Sequence, residues 1–313
     1  MESSITSNQG LCSIEIRPDG IAFAHIPSAN FEVTACEFYP YQFGNQLNND
    51  QLKVQLSLIT AKHQLKKIRC NWVLHPSNYR LTLINAPNVP QSEYKKAIRW
   101  QIKDIVNHPL EDTSVDIFYP DEPEKALKKV YVIAAQSSFL QNIAHVIQDC
   151  GLYPASVDIR EFAIRNLITG LAKQDEVIGL LSIVDESCLM VSVKQSNIQF
   201  VRRFPINWQN LKADNYNDLI TEMQRSFNYC QTELKQEIPI RFLMPPGIDK
   251  TMIQNVAKNL NKASKSSKLN VEVSIFNLQE IVTFKESIDP RIESHCWVAI
   301  GGALRNSIQG KQQ

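Results

Sequence analysis

The sequence predicts a duplicated α/β fold, with two lobes built on one plan and a cleft between them. Three observations carry this reading. A triplet of strand patterns at Cys12 to Tyr39 recurs at Ile178 to Ile206, and each triplet is followed by alternating helical and strand patterns. No linker rich in Gly, Ser or Pro separates the halves, so the lobes are expected to share an interface.

The elements follow in order. Cys12, Ile14 and Ile16 alternate as a strand, Pro18-Asp19-Gly20 makes a turn, and Ile21 and Phe23 open the second strand. Proline presets the backbone angle of such a turn, and glycine accepts the conformations that other residues resist. The third strand runs from Phe31 to Phe38. Lobe one then carries extra material: a strand at Leu81 to Ile84 and a helix with Tyr94, Ile98, Ile102 and Ile105 on one face. A strand at Val130 to Ala134 and a helix at Phe139 to Ile147 follow. These read as a subdomain inserted over about residues 81–157.

In the second half, the apolar run Ile178 to Val184 meets the polar Asp185-Glu186-Ser187. Strands at Leu189 to Val193 and Ile198 to Phe204 follow. Leu219, Ile220, Met223, Phe227, Cys230 and Leu234 form the stripe of a long helix. A strand at Ile240 to Met244, a helix at Met252 to Leu260 and a strand through Val271, Val273 and Ile275 complete the repeat. The expected division is 1–165 for lobe one, 166–292 for lobe two, and 293–313 for a C-terminal helix returning to lobe one.

Composition excludes several classes. Among 313 residues, 33 Lys and Arg stand against 32 Asp and Glu, so no general attraction to nucleic acid or an anionic membrane is expected. The seven cysteines are scattered and contain no CxxC pair, which argues for a reducing compartment rather than a zinc ribbon or a disulfide framework. The six histidines show no metal-ligand spacing, and no nucleophile elbow is present. The longest apolar-rich run, near Val177 to Val184, falls far short of the roughly 20 residues of a spanning helix, and Met1 to Gly10 has no signal-peptide character. The expectation is a cytoplasmic protein that meets a membrane only through a partner.

Several segments, taken in order and spacing, resemble one family. They are Val89-Pro90 through Trp100, Pro109 to Tyr119, Val130 to Ala135, Gly151-Leu152 through Asp158 to Asn166, Glu222 to Ser226, and Ala299 to Arg305. Together they resemble the PilM group of type IV pilus proteins, and within it the MshI branch of the mannose-sensitive haemagglutinin (MSHA) pilus. The resemblance implies an actin-like, ribonuclease H-like fold. It also implies docking on the N-terminal tail of a single-pass inner-membrane pilus protein, PilN- or MshJ-like. The tail's groove is expected between the core of lobe one and the inserted subdomain, walled by Trp72 to Leu74, Leu81 to Ile84 and the helix from Tyr94 to Ile105. Leu74, Leu81, Tyr94, Arg99 and Lys103 are the expected partner-facing residues.

The same resemblance implies a nucleotide site made from two hairpin turns of the form Asp-apolar-Gly, whose carboxylates organise Mg²⁺ and whose glycines admit phosphate. Here the first reads Glu15-Ile16-Arg17, followed by Asp19 and Gly20, and the second reads Ser182-Ile183-Val184, followed by Asp185 and Glu186. The adenosine-side turn reads Met244-Pro245-Pro246-Gly247, in which two prolines remove backbone donors. Gly301-Gly302 remain as adenosine contacts. The expectation is weak or absent ATP binding without efficient hydrolysis, Arg17 being the residue that pairs with a phosphate. Asp158 and Glu161 are the available groups for activating water, although Asp158 is more simply read as the cap of a helix starting near Ile159.

The function expected is therefore a scaffold or adaptor of MSHA-like pilus assembly. The alternative is an active PilM-type ATPase. A sugar-kinase-like enzyme is disfavoured, since a kinase needs a catalytic Asp and intact phosphate loops. Lys258, Lys262, Lys265 and Lys268, beside Ser264, Ser266 and Ser267, read as a solvated helix end rather than a site for an acidic partner or lipid headgroups, whereas Arg202-Arg203, facing the second hairpin, reads either as a second candidate docking edge or as an edge-strand charge pair.

Overall fold

The computed structural model describes residues 10–27, 31–41, 48–120, 129–184, 187–212, 216–247, 249–267 and 269–305. The first alternation forms the antiparallel hairpin β1 (Leu11–Ile16) and β2 (Gly20–Ile26), whose turn closes with Arg17 N–H donating to the Gly20 carbonyl at 2.9 Å. After the short β3 (Glu32–Val33), β4 (Ala35–Pro40) pairs with β2. Helix α1 (Asn49–Lys62) starts on a capping box between Asn48 and Gln51, which satisfies two otherwise orphaned N–H groups. Strand β5 (Arg69–Leu74) then returns parallel to β1.

The chain leaves this sheet for β6 (Arg80–Asn85), α2 (Tyr94–Gln101), β7 (Thr113–Phe118) and β8 (Lys129–Gln136). The strands make a separate sheet in the order β6-β8-β7, and Tyr94, Ile98 and Ile102 pack on Val130, Val132 and Ala134. Helix α3 (Ser137–Asp149) and strand β9 (Tyr153–Ile159) come back to lobe one, β9 pairing parallel with β5. The expected insertion over 81–157 is thus too long. Ile143, Val146 and Ile147 of α3 share a core with Leu56 and Trp72, so the separate sheet ends at Gln136.

After α4 (Arg160–Thr169), lobe two repeats the plan. It comprises β10 (Val177–Val184), β11 (Ser187–Lys194), β12 (Asn197–Phe204), α5 (Trp208–Lys212), α6 (Asn217–Tyr229), β13 (Arg241–Met244), α7 (Lys250–Ser266) and β14 (Glu272–Ile275). The long helix read through Leu234 ends as α6 at Tyr229 and continues as one π-helical turn, Cys230–Leu234. Strand β15 (Thr283–Phe284) pairs with β3, and α8 (Pro290–Ala303) lies on β1, β2 and β5.

The sheet orders are β4-β2-β1-β5-β9 and β12-β11-β10-β13-β14. In each, the first three strands are antiparallel and the last two run parallel to the first. Helices α4 and α8 sit between the sheets. One apolar cluster joins Ala22 and Val73 of the first sheet to Leu180 and Val191 of the second through Ala163, Leu167 and Ala299. Burial of this joint core, at roughly 25 cal/mol per Å² of apolar surface, is what holds the lobes as one body.

Candidate functional site between the lobes

The first hairpin places Glu15 on β1 facing the start of α4, where Arg160 is the first helical residue. Their side chains are 0% and 3% exposed, and Arg160 donates from Nη2 and Nε to Glu15 Oε1 at 2.6 and 3.1 Å. Glu15 Oε2 has no partner. A guanidinium therefore stands against the carboxylate that the hairpin offers to the cleft.

Arg17 is also committed. Its Nε and Nη2 donate to both Asp19 oxygens at 2.8 and 2.9 Å, its Nη1 donates to the His295 carbonyl at 3.2 Å, and its guanidinium lies 5.5 Å over the Phe38 ring. Burial opposes its charge, but the Glu15 and Asp19 carboxylates outweigh this and raise its pKa. Burial likewise opposes the charge of Asp19, and the bond from Arg17 overcomes it, holding that carboxyl below its usual range. Gly20 starts β2 opposite Pro40. Just after β5, burial and the Arg160 cation push His75 down to about 4, so its imidazole is neutral at pH 7. Its Nδ1 faces Ser77 Oγ at 2.9 Å.

A second buried carboxylate ties three elements together. Glu161, fully buried on α4, accepts from Tyr79 Oη at 2.5 Å and from Arg203 Nη2 at 2.6 Å, and Arg203 also donates to Tyr79 Oη at 3.1 Å. Tyr79 precedes β6, and Arg203 comes from β12 of lobe two. Arg203 is thus more than the edge-strand charge expected, although Arg202 beside it does pair locally with Glu222 at 3.1 Å. The inserted subdomain adds two further ties to lobe two. Val201 N–H donates to Tyr131 Oη at 2.9 Å, and Gln236 Nε2 donates to the Pro120 carbonyl at 2.9 Å.

Other expected site residues have different surroundings. Asp158 does not cap a helix: α4 begins at Arg160 with Ile159 at the cap, and Asp158 accepts from Arg305 and from Asn71 Nδ2 at 2.9 Å. Ser182 is buried inside β10, opposite Leu189. Asp185 and Glu186 lie outside the described residues. Gly247 follows β13 and abuts Ile253 of α7. Gly301 and Gly302 are tightly packed: a Cβ would fall 2.3 Å from the Ala163 carbonyl at the first and 2.2 Å from Ser13 Oγ at the second. Their helix passes too close to α4 and β1 for any side chain there. Among the described residues, no cluster of His, Cys, Asp and Glu has the arrangement of a metal site.

Between the lobe-one core and the β6-β8-β7 sheet lies a hollow of about 190 Å³, lined by Asn78, Tyr79, Arg80, His108, Gln136 and Phe139 among others. The Nε2 of His108 is buried there without a partner. Leu81 packs beside this region, against the lobe-one core. Leu74 and Tyr94, expected to face a partner, are instead core residues, 2% and 7% exposed, because β5 and α2 turn those positions inward. Arg99, with Trp100, borders a different hollow of about 490 Å³ on the outer side of α2, and its Nη2 donates to the Thr113 carbonyl at 3.0 Å. Lys103 is exposed just beyond α2.

Sequence patterns alone do not mark Arg160 or Tyr79 as site residues. The available signal was the pair Arg160-Glu161 opening an otherwise apolar helix, Phe162-Ala163-Ile164, since charges there must be paired when buried.

Neither family profiles nor curated proteins match this chain by sequence. Solved structures do match it. A chain of the PilM-PilN type IV pilus biogenesis complex superposes with a TM-score of 0.70 at 19% identity, covering 95% of this chain and 98% of that one. The cytoplasmic domain of EpsL, an inner-membrane component of the Vibrio cholerae type II secretion system, gives 0.49 at 13% identity over 86% of this chain and 97% of that one. A Bacteroides thetaiotaomicron protein with an actin-like ATPase fold gives 0.49 at 12% identity over 90% and 97%. Among the described residues, no helix is long and apolar enough to cross a membrane. The chain has the two-lobed, duplicated α/β architecture of the actin-like fold, and its likeness to the pilus-complex structure runs through nearly its whole length.

Proposed function

We propose that this chain is a non-hydrolysing, actin-like scaffold of a type IV, MSHA-like pilus assembly machine, working at the cytoplasmic face of the inner membrane. The observation that carries the reading is the Glu15–Arg160 pair. A buried guanidinium occupies the carboxylate that would organise a metal, and displacing it would leave a buried unpaired charge. Arg17, bound to Asp19 and the His295 carbonyl, is similarly withheld from phosphate. Mg-ATP is therefore expected to bind weakly or not at all. Thermal melting with and without Mg-ATP, beside a phosphate-release assay, tests this. Micromolar affinity with Mg-dependent release would overturn it in favour of an active ATPase.

The partner in this reading is the N-terminal tail of a single-pass, PilN- or MshJ-like protein, and the membrane is met only through it. The hollow lined by Asn78, Arg80, His108 and Gln136 suits a short extended segment, because the unpaired His108 Nε2 offers a hydrogen bond at a preformed site. Replacing His108 by Ala together with Gln136 by Ala is expected to weaken tail-peptide binding at least tenfold. Reversing Arg99 and Lys103 to Glu, on the outer side of α2, is expected to leave it unchanged. The opposite pattern would move the tail to the outer hollow.

A further inference from the structure

The outward layer of lobe two contains a groove that the proposed function does not use. It lies between the start of α6 and the second half of α7, has a volume of about 630 Å³, and is lined by Tyr216, Asn217, Ile220, Asn259, Lys262 and Ala263 among others. A neighbouring hollow of about 430 Å³ shares Tyr216 and Asn259 and extends toward Trp208 and Met252. Among the described residues, no acidic side chain lines the larger groove.

Helix α7 carries four lysines and no Asp or Glu. Lys258, Lys262 and Lys265 recur at i, i+4 and i+7, so they form one exposed row along the rim. None of the three has a carboxylate partner among the described residues. The contrast within the same lobe is sharp, because Lys194, Arg202, Arg203, Arg225 and Arg241 each hold a glutamate at 2.6 to 3.1 Å. A chain of net charge +1 thus has, among its described residues, one row of cations without carboxylate partners beside this groove.

We infer that this groove docks an acidic amphipathic helix of a protein partner, separately from the tail site. Carboxylates spaced by one helical turn would meet the lysine row, and an apolar side chain would enter beside Ile220 and Ala263. The amide side chains of Asn217 and Asn259 give the walls hydrogen-bonding groups that favour a peptide. A membrane surface fits less well, since a lipid-binding helix needs an exposed apolar face and no large exposed apolar side chain lies on α7. Nucleic acid fits less well too, since no aromatic residue interrupts the lysine row.

The test uses a labelled 18-residue helical peptide with Glu at i, i+4 and Leu along one face, and a scrambled peptide of the same composition. Anisotropy titrations at low and physiological salt compare the full chain with the triple variant Lys258→Glu, Lys262→Glu, Lys265→Glu and with Ala263→Phe, each checked by melting. The patterned peptide is expected to bind at least tenfold tighter than the scrambled one, and both variants should lose at least tenfold. The lysines are exposed, so the triple variant stays informative if Ala263→Phe fails to fold. Equal binding of the two peptides, or undiminished binding by the folded triple variant, overturns the inference. Stronger association with phosphatidylglycerol vesicles than with the peptide, lost in the triple variant, would replace it with a lipid surface.

Discussion

Removing the guanidinium from the buried pair gives the most direct access to the cleft's chemistry. In Arg160→Met the side-chain volume is roughly kept, while Glu15 remains fully buried with neither oxygen paired. Breaking a buried pair from one side typically costs about 3–5 kcal/mol, because the surviving charge keeps its desolvation penalty and loses its partner. At roughly 2–4 °C per kcal/mol for a domain of this size, the melting temperature should fall by about 6–20 °C. The double variant Glu15→Gln, Arg160→Met holds no buried charge and should recover at least half of the loss. The native geometry favours this, since both Arg160 contacts go to Oε1 and leave Oε2 unsatisfied, so the pair is a poor optimum to begin with. Millimolar Mg²⁺ should raise the melting temperature of Arg160→Met but not of the wild type, because only the variant offers a bare carboxylate. Urea and thermal unfolding of the wild type and the two variants decide. A single variant within about 1 kcal/mol of wild type, or a double variant no more stable than Arg160→Met, would refute the assignment of Arg160 as an internal replacement for a metal ion.

The other expectations concern neighbouring groups. His75 binds a proton near pH 6.5 when unfolded but only near about 4 when folded, so the unfolded state holds more protons between these values and stability falls as pH drops through them. His75→Asn keeps a short acceptor for Ser77 N–H and should flatten this slope by about 1–2 kcal/mol, after allowing for partial exposure; an unchanged slope in urea titrations from pH 7 to 4 would remove His75 from the account. Arg203→Ala should cost about 2–3 kcal/mol and speed proteolysis between the lobes, whereas Tyr79→Phe, which keeps the Arg203–Glu161 pair, should cost about 1 kcal/mol; equal effects would mean that the hydroxyl, not the cation, satisfies Glu161. Gly302→Ala should destabilise by about 1–3 kcal/mol through its clash with Ser13 Oγ, and adding Ser13→Ala should restore part of that; no restoration would point to the Val73 methyl, 2.6 Å from the same Cβ, as the real obstacle.

Strand and helix periodicity made most of the fold legible. The paired triplets Leu11–Pro40 and Val177–Phe204 fall where the alternation of Ile14, Ile16 and Phe23, and the run of Ile178 to Val184, place them. The inserted sheet's far boundary was not legible, because α3 has the same amphipathic stripe whether it covers β8 or β5, and only pairing of β9 with β5 assigns it. Site residues were harder still. The departure of Glu15-Ile16-Arg17 and Ser182-Ile183-Val184 from Asp-apolar-Gly is visible in the letters, but the bonded partners lie far apart in sequence: Arg160 is 145 positions from Glu15, and Arg203 is 124 from Tyr79. Leu74 and Tyr94 have the apolar character of groove residues and of core residues alike, and burial alone separates the two. Gly301-Gly302 illustrate the same ambiguity, since glycine admits a nucleotide or a neighbouring helix by the same lack of a side chain.

The ties between the lobes bear on whether the cleft between them can open. In an actin-like architecture whose hinge responds to nucleotide, the cleft must be free to open, and its closing energy must come from the ligand. Here the closing contacts are an ion pair and hydrogen bonds that the chain itself supplies: Glu161 with Arg203, Tyr131 with Val201, and Gln236 with Pro120. Two of these three reach lobe two from the inserted subdomain or its edge, and the third is shared by Tyr79, which also lines the hollow between that subdomain and lobe one. A segment entering the hollow therefore presses on a residue whose hydroxyl bonds the interlobe ion pair. If the proposed tail enters this hollow, Tyr79 is the residue through which its occupancy would reach the interlobe pair, and Tyr79→Phe would break that link.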